Sequence, residues 1–271
     1  DQTRESVRTK AMALVGISIG LMFALALVAA PLLAAQFGLA GLFWLTFGLT
    51  VAGIATVLWV VPPEQPRSTH GQPGRLADVL RNADLMRVNF GVFVLHTVQM
   101  AMWVAVPAML VQAGLLKEAH WQAYLPALVL SIIAMGGLLA MERRGRLRAA
   151  MLLSIGLILL VQVGLGVVAL GGGMPSLWGL GALLFVFFCG FNMLEATQPS
   201  LVSRMAPGSL RGAALGAYNT LQSLGLFAGG ALGGALAKWA GAPGLFAATA
   251  LLAALWLALT WPLRPVAKAG S

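Results

Sequence analysis

Glu195 has the strongest chemical claim in this chain, because it is the one carboxylate set within a long apolar run. The chain has eight Asp and Glu residues, and the others fall in polar stretches or at the ends of apolar ones. A carboxylate inside a membrane costs about 2.5–3.5 kcal/mol on an insertion scale, so it marks a pathway, a relay or a partner. Asn192, Glu195 and Pro199 recur at i, i+3 and i+7 and share one helix face. His96 is the one histidine inside such a run, and Gln99 follows a turn later. Glu195 lies nine residues before Arg204, and His96 nine residues after Arg87. Nine residues are about 13 Å of helix, which sets both groups at a similar depth. There a carboxylate and an imidazole can exchange a proton and couple its movement to a substrate. Each also has a plain structural reading. Glu195 can anchor to a neighbouring helix, such as the one bearing Asn219 and Gln222, and His96 can be a satisfied packing residue.

Other chemistries lack their residues. No phosphate-binding glycine loop, His/Glu zinc pair or nucleophile elbow occurs, which argues against an ATP-driven pump or a membrane hydrolase. The lone Cys189 supports neither a disulfide framework nor a metal cluster. No cofactor is expected.

The elements that must position these groups are long and apolar. Eight stretches, roughly 11–35, 38–61, 89–113, 121–141, 149–170, 177–203, 210–237 and 243–262, each reach the ~20 residues a spanning helix needs. Hydrophobic residues make up 59% of the chain and charged residues 9%. A soluble domain carries about 25% charged residues. Of the 17 Lys and Arg, all but Lys117 and Lys238 fall on one side of the eight stretches. That asymmetry places both ends in the cytosol. It also makes the net charge of +9 a topology signal rather than a sign of nucleic-acid binding. No cleavable signal peptide is visible, since the polar opening DQTRESVRTK leads straight into a full-length apolar run. Trp59, Trp121, Trp178, Trp239 and Trp261 near the run ends read as an interfacial belt. Trp103 lies deeper, in a packing position or against an apolar substrate.

Residues 62–88 form the longest polar stretch. It opens on Pro62-Pro63 and Pro66 and ends in the amphipathic piece RLADVLRNADLMR, the pattern of a cytosolic linker with a short surface helix. The chain is thus divided into residues 1–61, the linker 62–88, and residues 89–271. A shift of 203 positions (38 to 241) relates the first part to the end of the last. It lays Arg8 on Arg211, Ala11 on Ala214, Gly38 on Gly241, and Gly41-Leu42-Phe43 on Gly244-Leu245-Phe246. A parallel six-helix repeat follows, as in one large transporter architecture. The shift also lays Asp1 on Arg204, so the counterparts of the third to sixth runs are expected to precede residue 1. Glycines 212, 216, 225, 229, 230, 233 and 234 recur at spacings that let helices approach closely.

Three segments carry a family resemblance: RTKAMALVGISIG at 8–20, LRNADLMRVNFGVFVLH at 80–96 and GFNMLEATQPSLVSR at 190–204. Over essentially its whole length the chain resembles a major facilitator superfamily transporter from helix five to helix twelve, of the YajR-like group in the drug:proton antiporter branch. The resemblance implies an all-α polytopic membrane fold with eight of twelve helices present. Residues 1–61 would be the last two helices of the N-terminal half, and residues 89–271 the C-terminal half. Departures exist. Ala30-Pro31 stands where the helix-five motif carries Gly-Pro, and Leu138 and Glu142 replace a glycine and an aspartate of the cytosolic loop motif. That loop, Glu142-Arg143-Arg144-Gly145-Arg146, keeps its core. In the family it clasps neighbouring helices and favours the outward-facing state, although positive-inside charge alone also accounts for its arginines.

The same resemblance turns helices seven and ten, and with them His96 and Glu195, toward a central cavity. The expected cavity residues are Glu195, His96, Asn192, Gln99, Asn219 and Gln222, and the expected gate residues Glu142, Arg143, Gly145 and Arg146. The implied protein is a proton-coupled exporter of small amphipathic or apolar compounds. It would work by alternating access in the bacterial inner membrane, with the bilayer, protons and a small-molecule substrate as its partners. It would be a monomer when complete, and no enzyme. A sugar or metabolite porter of the same fold is the alternative. A chain without transport activity is another, since an eight-helix piece lacks four helices, two of them expected to line the cavity.

Overall fold

The protein is described by a computed structural model covering residues 5–62 and 75–263. Among these residues every regular element is helical, and the chain divides into two compact units. One comprises residues 1–71 with 117–121, and the other the remainder.

In the first unit, α1 (Glu5–Trp59) runs through 55 residues, whose helical length of about 80 Å is more than twice the ~30 Å of a hydrocarbon core. It is broken at one residue, Gly38, with φ 64° and ψ −175°. That backbone region is open to glycine alone in practice, because a Cβ would collide with the carbonyl. The two apolar runs read from the sequence therefore meet at a corner one residue long. Thr46, Thr50 and Thr56 turn their hydroxyls back onto the carbonyls of Leu42, Thr46 and Ala52, which leaves no orphan donor facing an apolar medium.

The second unit holds six helices. They are α2 (Leu76–Arg81), α3 (Ala83–Gln112), α4 (Trp121–Arg143), α5 (Leu147–Leu170), α6 (Leu177–Met205) and α7 (Arg211–Thr260). The linker ends earlier than its polarity suggests. Asn82 accepts from the backbone N–H groups of Asp84 and Leu85, both at 3.1 Å, so α3 starts inside the 62–88 stretch. Asp84 and Arg87 then pair across the first turn. The amphipathic helix read there is α2 alone, while residues 63–74 lie outside the described residues.

α7 repeats the corner of α1. Its single break, Gly241, has φ 66° and ψ −175°. The match extends outward from the break. A Cβ on Gly41 would meet that of Phe37 at 2.4 Å, and one on Gly244 would meet that of Ala240 at 2.3 Å. Thr249, the counterpart of Thr46, likewise bonds the carbonyl four residues back. The contacts of α7 show that the chain reverses here. Gly225, Gly229 and Gly233 climb along α3 past Phe93, Thr97 and Ala101, and Trp256 then returns to lie against Gly91. Near its far end, Arg148 at the start of α5 donates to the Trp261 carbonyl.

The core is made where α3, α5, α6 and α7 meet, with Leu95, Met102, Ile155, Ile158, Phe187, Phe188 and Trp256 buried. A Cβ on Gly225 or Gly229 would sit 2.4 Å from the carbonyl oxygen of Phe93 or Thr97, and one on Gly233 would sit 2.8 Å from the Cα of Ala101. These glycines let α7 lie directly on α3, and Thr97 Oγ1 donates across the seam to the Gly225 carbonyl at 3.2 Å. The glycines at 212, 216, 230 and 234 face no atom within 4 Å, so the packing role read for the whole set belongs to three of them. A buried polar tie joins α5 to α7, where Thr249 donates to Gln162 Oε1 at 2.9 Å.

Candidate functional site

The site is built on the middle of α3, on α6 and on the first segment of α7, all in the second unit. His96 is 4% exposed. Its Nδ1 lies 2.9 Å from the Val92 carbonyl one turn back, and a carbonyl only accepts, so Nδ1 carries the hydrogen. In the neutral ring Nε2 is then a lone-pair acceptor. The Gln222 amide nitrogen lies 2.9 Å from that Nε2 and 3.2 Å from Glu195 Oε1, and donates to both. Glu195 Oε2 is buried without a hydrogen bond and stands 3.4 Å from the same Nε2. Imidazole, carboxylate and amide thus come together from three helices. The Glu195 side chain is 36% exposed and that of His96 5%, so the pair is open on the carboxylate side.

Two neighbours complete the surroundings. The Phe191 ring stands edge-on to His96 at 5.8 Å between centroids. Tyr218, 2% exposed, lies close enough to Glu195 to feel its charge, and its hydroxyl has no hydrogen-bond partner. The sequence reading missed both. Tyr218 precedes Gln222 by four residues and Phe191 precedes Glu195 by four, so helix spacing alone carried the signal.

The remaining expected residues lie elsewhere. Asn192 turns to α4 and donates to Ser131 Oγ at 2.9 Å, which in turn donates to the Leu128 carbonyl. It is a tie between α6 and α4 and not a member of the cluster. Gln99 is 9% exposed and takes no part in the bonds joining His96, Glu195 and Gln222. The Asn219 side chain is exposed, although its helix is the one that supplies Gln222. Trp103 packs against Tyr124 at 4.6 Å and Phe188 at 6.4 Å. A cleft of about 660 Å³ opens near the Gly241 corner, lined by Met109, Gln112, Val168, Met174 and Ala242 among others. It carries no ionisable group and excludes the cluster, so it has volume without the chemistry.

At the loop between α4 and α5, the side chains of Glu142 and Arg143 lie outside the described residues. Gly145 has φ 78°, and the Arg146 N–H donates to the Met141 carbonyl at 2.9 Å. This is the left-handed glycine stop of α4, a local reason for glycine at this position. Arg146 then precedes α5 with its side chain exposed.

Among the described residues, six helices are long and apolar enough to cross a membrane, and the polar chemistry lies buried where three of them meet. That defines a multi-pass helical membrane protein with a polar cluster buried among its helices. Residues 1–230 match the Major Facilitator Superfamily, and the chain belongs to that family. It is 36% identical over 265 residues to the inner membrane transport protein YajR of Escherichia coli (strain K12), covering 95% of this chain and 57% of that protein. An uncharacterised transporter of Buchnera aphidicola subsp. Acyrthosiphon pisum is 28% identical over 236 residues, covering 84% of this chain and 59% of that protein. The uncharacterised MFS-type transporter YhhS of E. coli (strain K12) is 33% identical over 124 residues, which is 45% of this chain and 29% of that protein. The chain therefore spans somewhat over half the length of the first two relatives. These relatives are named transporters, and the family is one of membrane transport rather than of enzymes.

Proposed function

We propose that this chain is the part of a proton-coupled secondary transporter that holds the proton site, with His96 and Glu195 as the titrating pair. The observation that carries this reading is the 3.4 Å approach of His96 Nε2 to Glu195 Oε2, between two helices long and apolar enough to cross a membrane. Ionisable groups at such a depth are costly and are kept for relays and pathways. The two corners at Gly38 and Gly241 support eight crossings, numbered five to twelve of a twelve-helix pattern. Family membership and the named inner-membrane relative support residence in a bacterial inner membrane, with both ends cytosolic by the Lys and Arg asymmetry. A monomer is the expected working form.

The substrates we assign are small amphipathic or apolar compounds, exported as protons enter. Asn192 is committed to Ser131 and Gln222 to the pair, so neither amide is free for a polyhydroxylated substrate, and a sugar or metabolite porter is the second reading. The decisive test is Glu195→Gln in the protein expressed from its natural gene, assayed for substrate flux driven by a pH gradient in vesicles. Flux is expected to lose its dependence on the gradient, and an unaltered dependence would remove Glu195 from coupling.

The loop Glu142–Arg146 is proposed as the cytosolic gate. Glu142→Lys should raise the labelling of cavity cysteines from the cytosolic side, and unchanged labelling would return the loop to a topology signal.

A further inference from the structure

One amide ties three helices together at the cluster. Gln222 donates one hydrogen to neutral His96 on α3 and the other to Glu195 on α6, while Val92 fixes which ring nitrogen can accept. Glu195 Oε2 stands by, buried and without a hydrogen bond, 3.4 Å from the nitrogen that Gln222 occupies.

We propose that Gln222 is a positioning residue that holds His96 and Glu195 apart in their deprotonated forms, and that a proton arriving on His96 Nε2 exchanges its two ties for a direct ion pair between α3 and α6. The inference rests on the proton-handling reading above. The added proton forms one N–H bond and turns Nε2 from acceptor to donor, so it now faces the N–H groups of the amide. Turning the amide over does not relieve the conflict, because its oxygen would then meet the Glu195 carboxylate. The waiting acceptor is Oε2. As the imidazolium donates to it, Gln222 is displaced, and the first segment of α7 loses its amide tie to α3 and α6 while the Thr97–Gly225 and Arg211–Ser203 bonds remain. Losing the proton restores the lone pair and the original ties.

Few other charges face the pair. From α7 the neighbour is Tyr218, whose phenol lies near Glu195. On α5, Arg148 is engaged with the Trp261 carbonyl, and on α4, Tyr124 packs against Trp103. The exchange is therefore governed by His96, Glu195 and the amide between them.

Nitrogen-15 NMR of histidine-labelled protein in lipid nanodiscs tests this. The chain has three histidines, and His96→Asn assigns the signal of interest. At high pH wild-type His96 is expected as the neutral tautomer with the hydrogen on Nδ1. Gln222→Met, of similar volume but without donors, should raise the doubly protonated fraction at a fixed pH near neutrality by about five- to tenfold. Gln222→Asn, which withdraws the amide by one methylene, should move it the same way and serves if the Met variant does not fold. An unchanged fraction in the folded variant, or the Nε2–H tautomer in the wild type, overturns the role of Gln222. If wild-type His96 never gains a second proton between about pH 5 and pH 9, the proton-site reading itself fails, and this inference with it.

Discussion

A histidine whose Nδ1 is pinned by its own helix presents one nitrogen to its surroundings, and everything at the cluster follows from that. The bond to Val92 fixes the tautomer without any second side chain. That His96 and Glu195 lie level with one another was legible from their spacing to Arg87 and Arg204. The bridging role of Gln222 was not, because it depends on the rotation of α7 about its axis, which no spacing from a charged end reports. Asn192 shows the same limit: it shares a face with Glu195 by periodicity, yet its side chain bonds Ser131 on another helix. At this scale the Gln162–Thr249 tie offers a clean stability test. Gln162→Leu removes one partner of a fully buried pair, and thermal unfolding in detergent should show a loss of about 0.5–2 kcal/mol. No change would mean that Thr249 is satisfied by its own helix alone, through the Leu245 and Phe246 carbonyls.

Between 212 and 234 the glycines of α7 separate into two kinds. The sequence displays seven at close spacing, and nothing in their type distinguishes those that touch α3 from those that do not. The distinction is azimuthal, and the structure resolves it at 225, 229 and 233. Gly229→Val would drive a side chain into the Thr97 carbonyl and should cost about 1–3 kcal/mol as the seam is forced open. Gly230→Ala, one residue on, meets nothing within 4 Å and should leave the unfolding temperature unchanged or slightly raised. An equal loss from the two would show that the α3–α7 seam does not set the cost. Gly241→Ala belongs to a third kind. It introduces a Cβ at a glycine-only backbone angle and should lose about 1–3 kcal/mol without touching any neighbouring helix.

For the whole molecule, the long apolar runs and the three motif segments carried the membrane class and the family. Gly38 and Gly241 are a case where sequence and geometry coincide: paired by the shift, they share backbone angles to within a few degrees. The limits of the linker were less legible, because an asparagine cap decides where α3 begins and the polarity of 82–88 hides it. Orientation can be checked directly. In a Cys189→Ser background, a membrane-impermeant maleimide should label Lys117→Cys from outside intact cells and Arg146→Cys only after the membrane is opened. The reverse pattern would invert the proposed topology.

A corner made by a single residue contains no slack. The two runs on either side of Gly241 cannot slide apart, change register or admit an inserted tag without rebuilding the turn, so they behave as one folded stave. In any movement of α7, the return run bearing Trp256 must travel with the outgoing run bearing Gln222. A shift at the polar cluster is thus tied, through a hinge-free bend, to the buried indole that packs on Gly91.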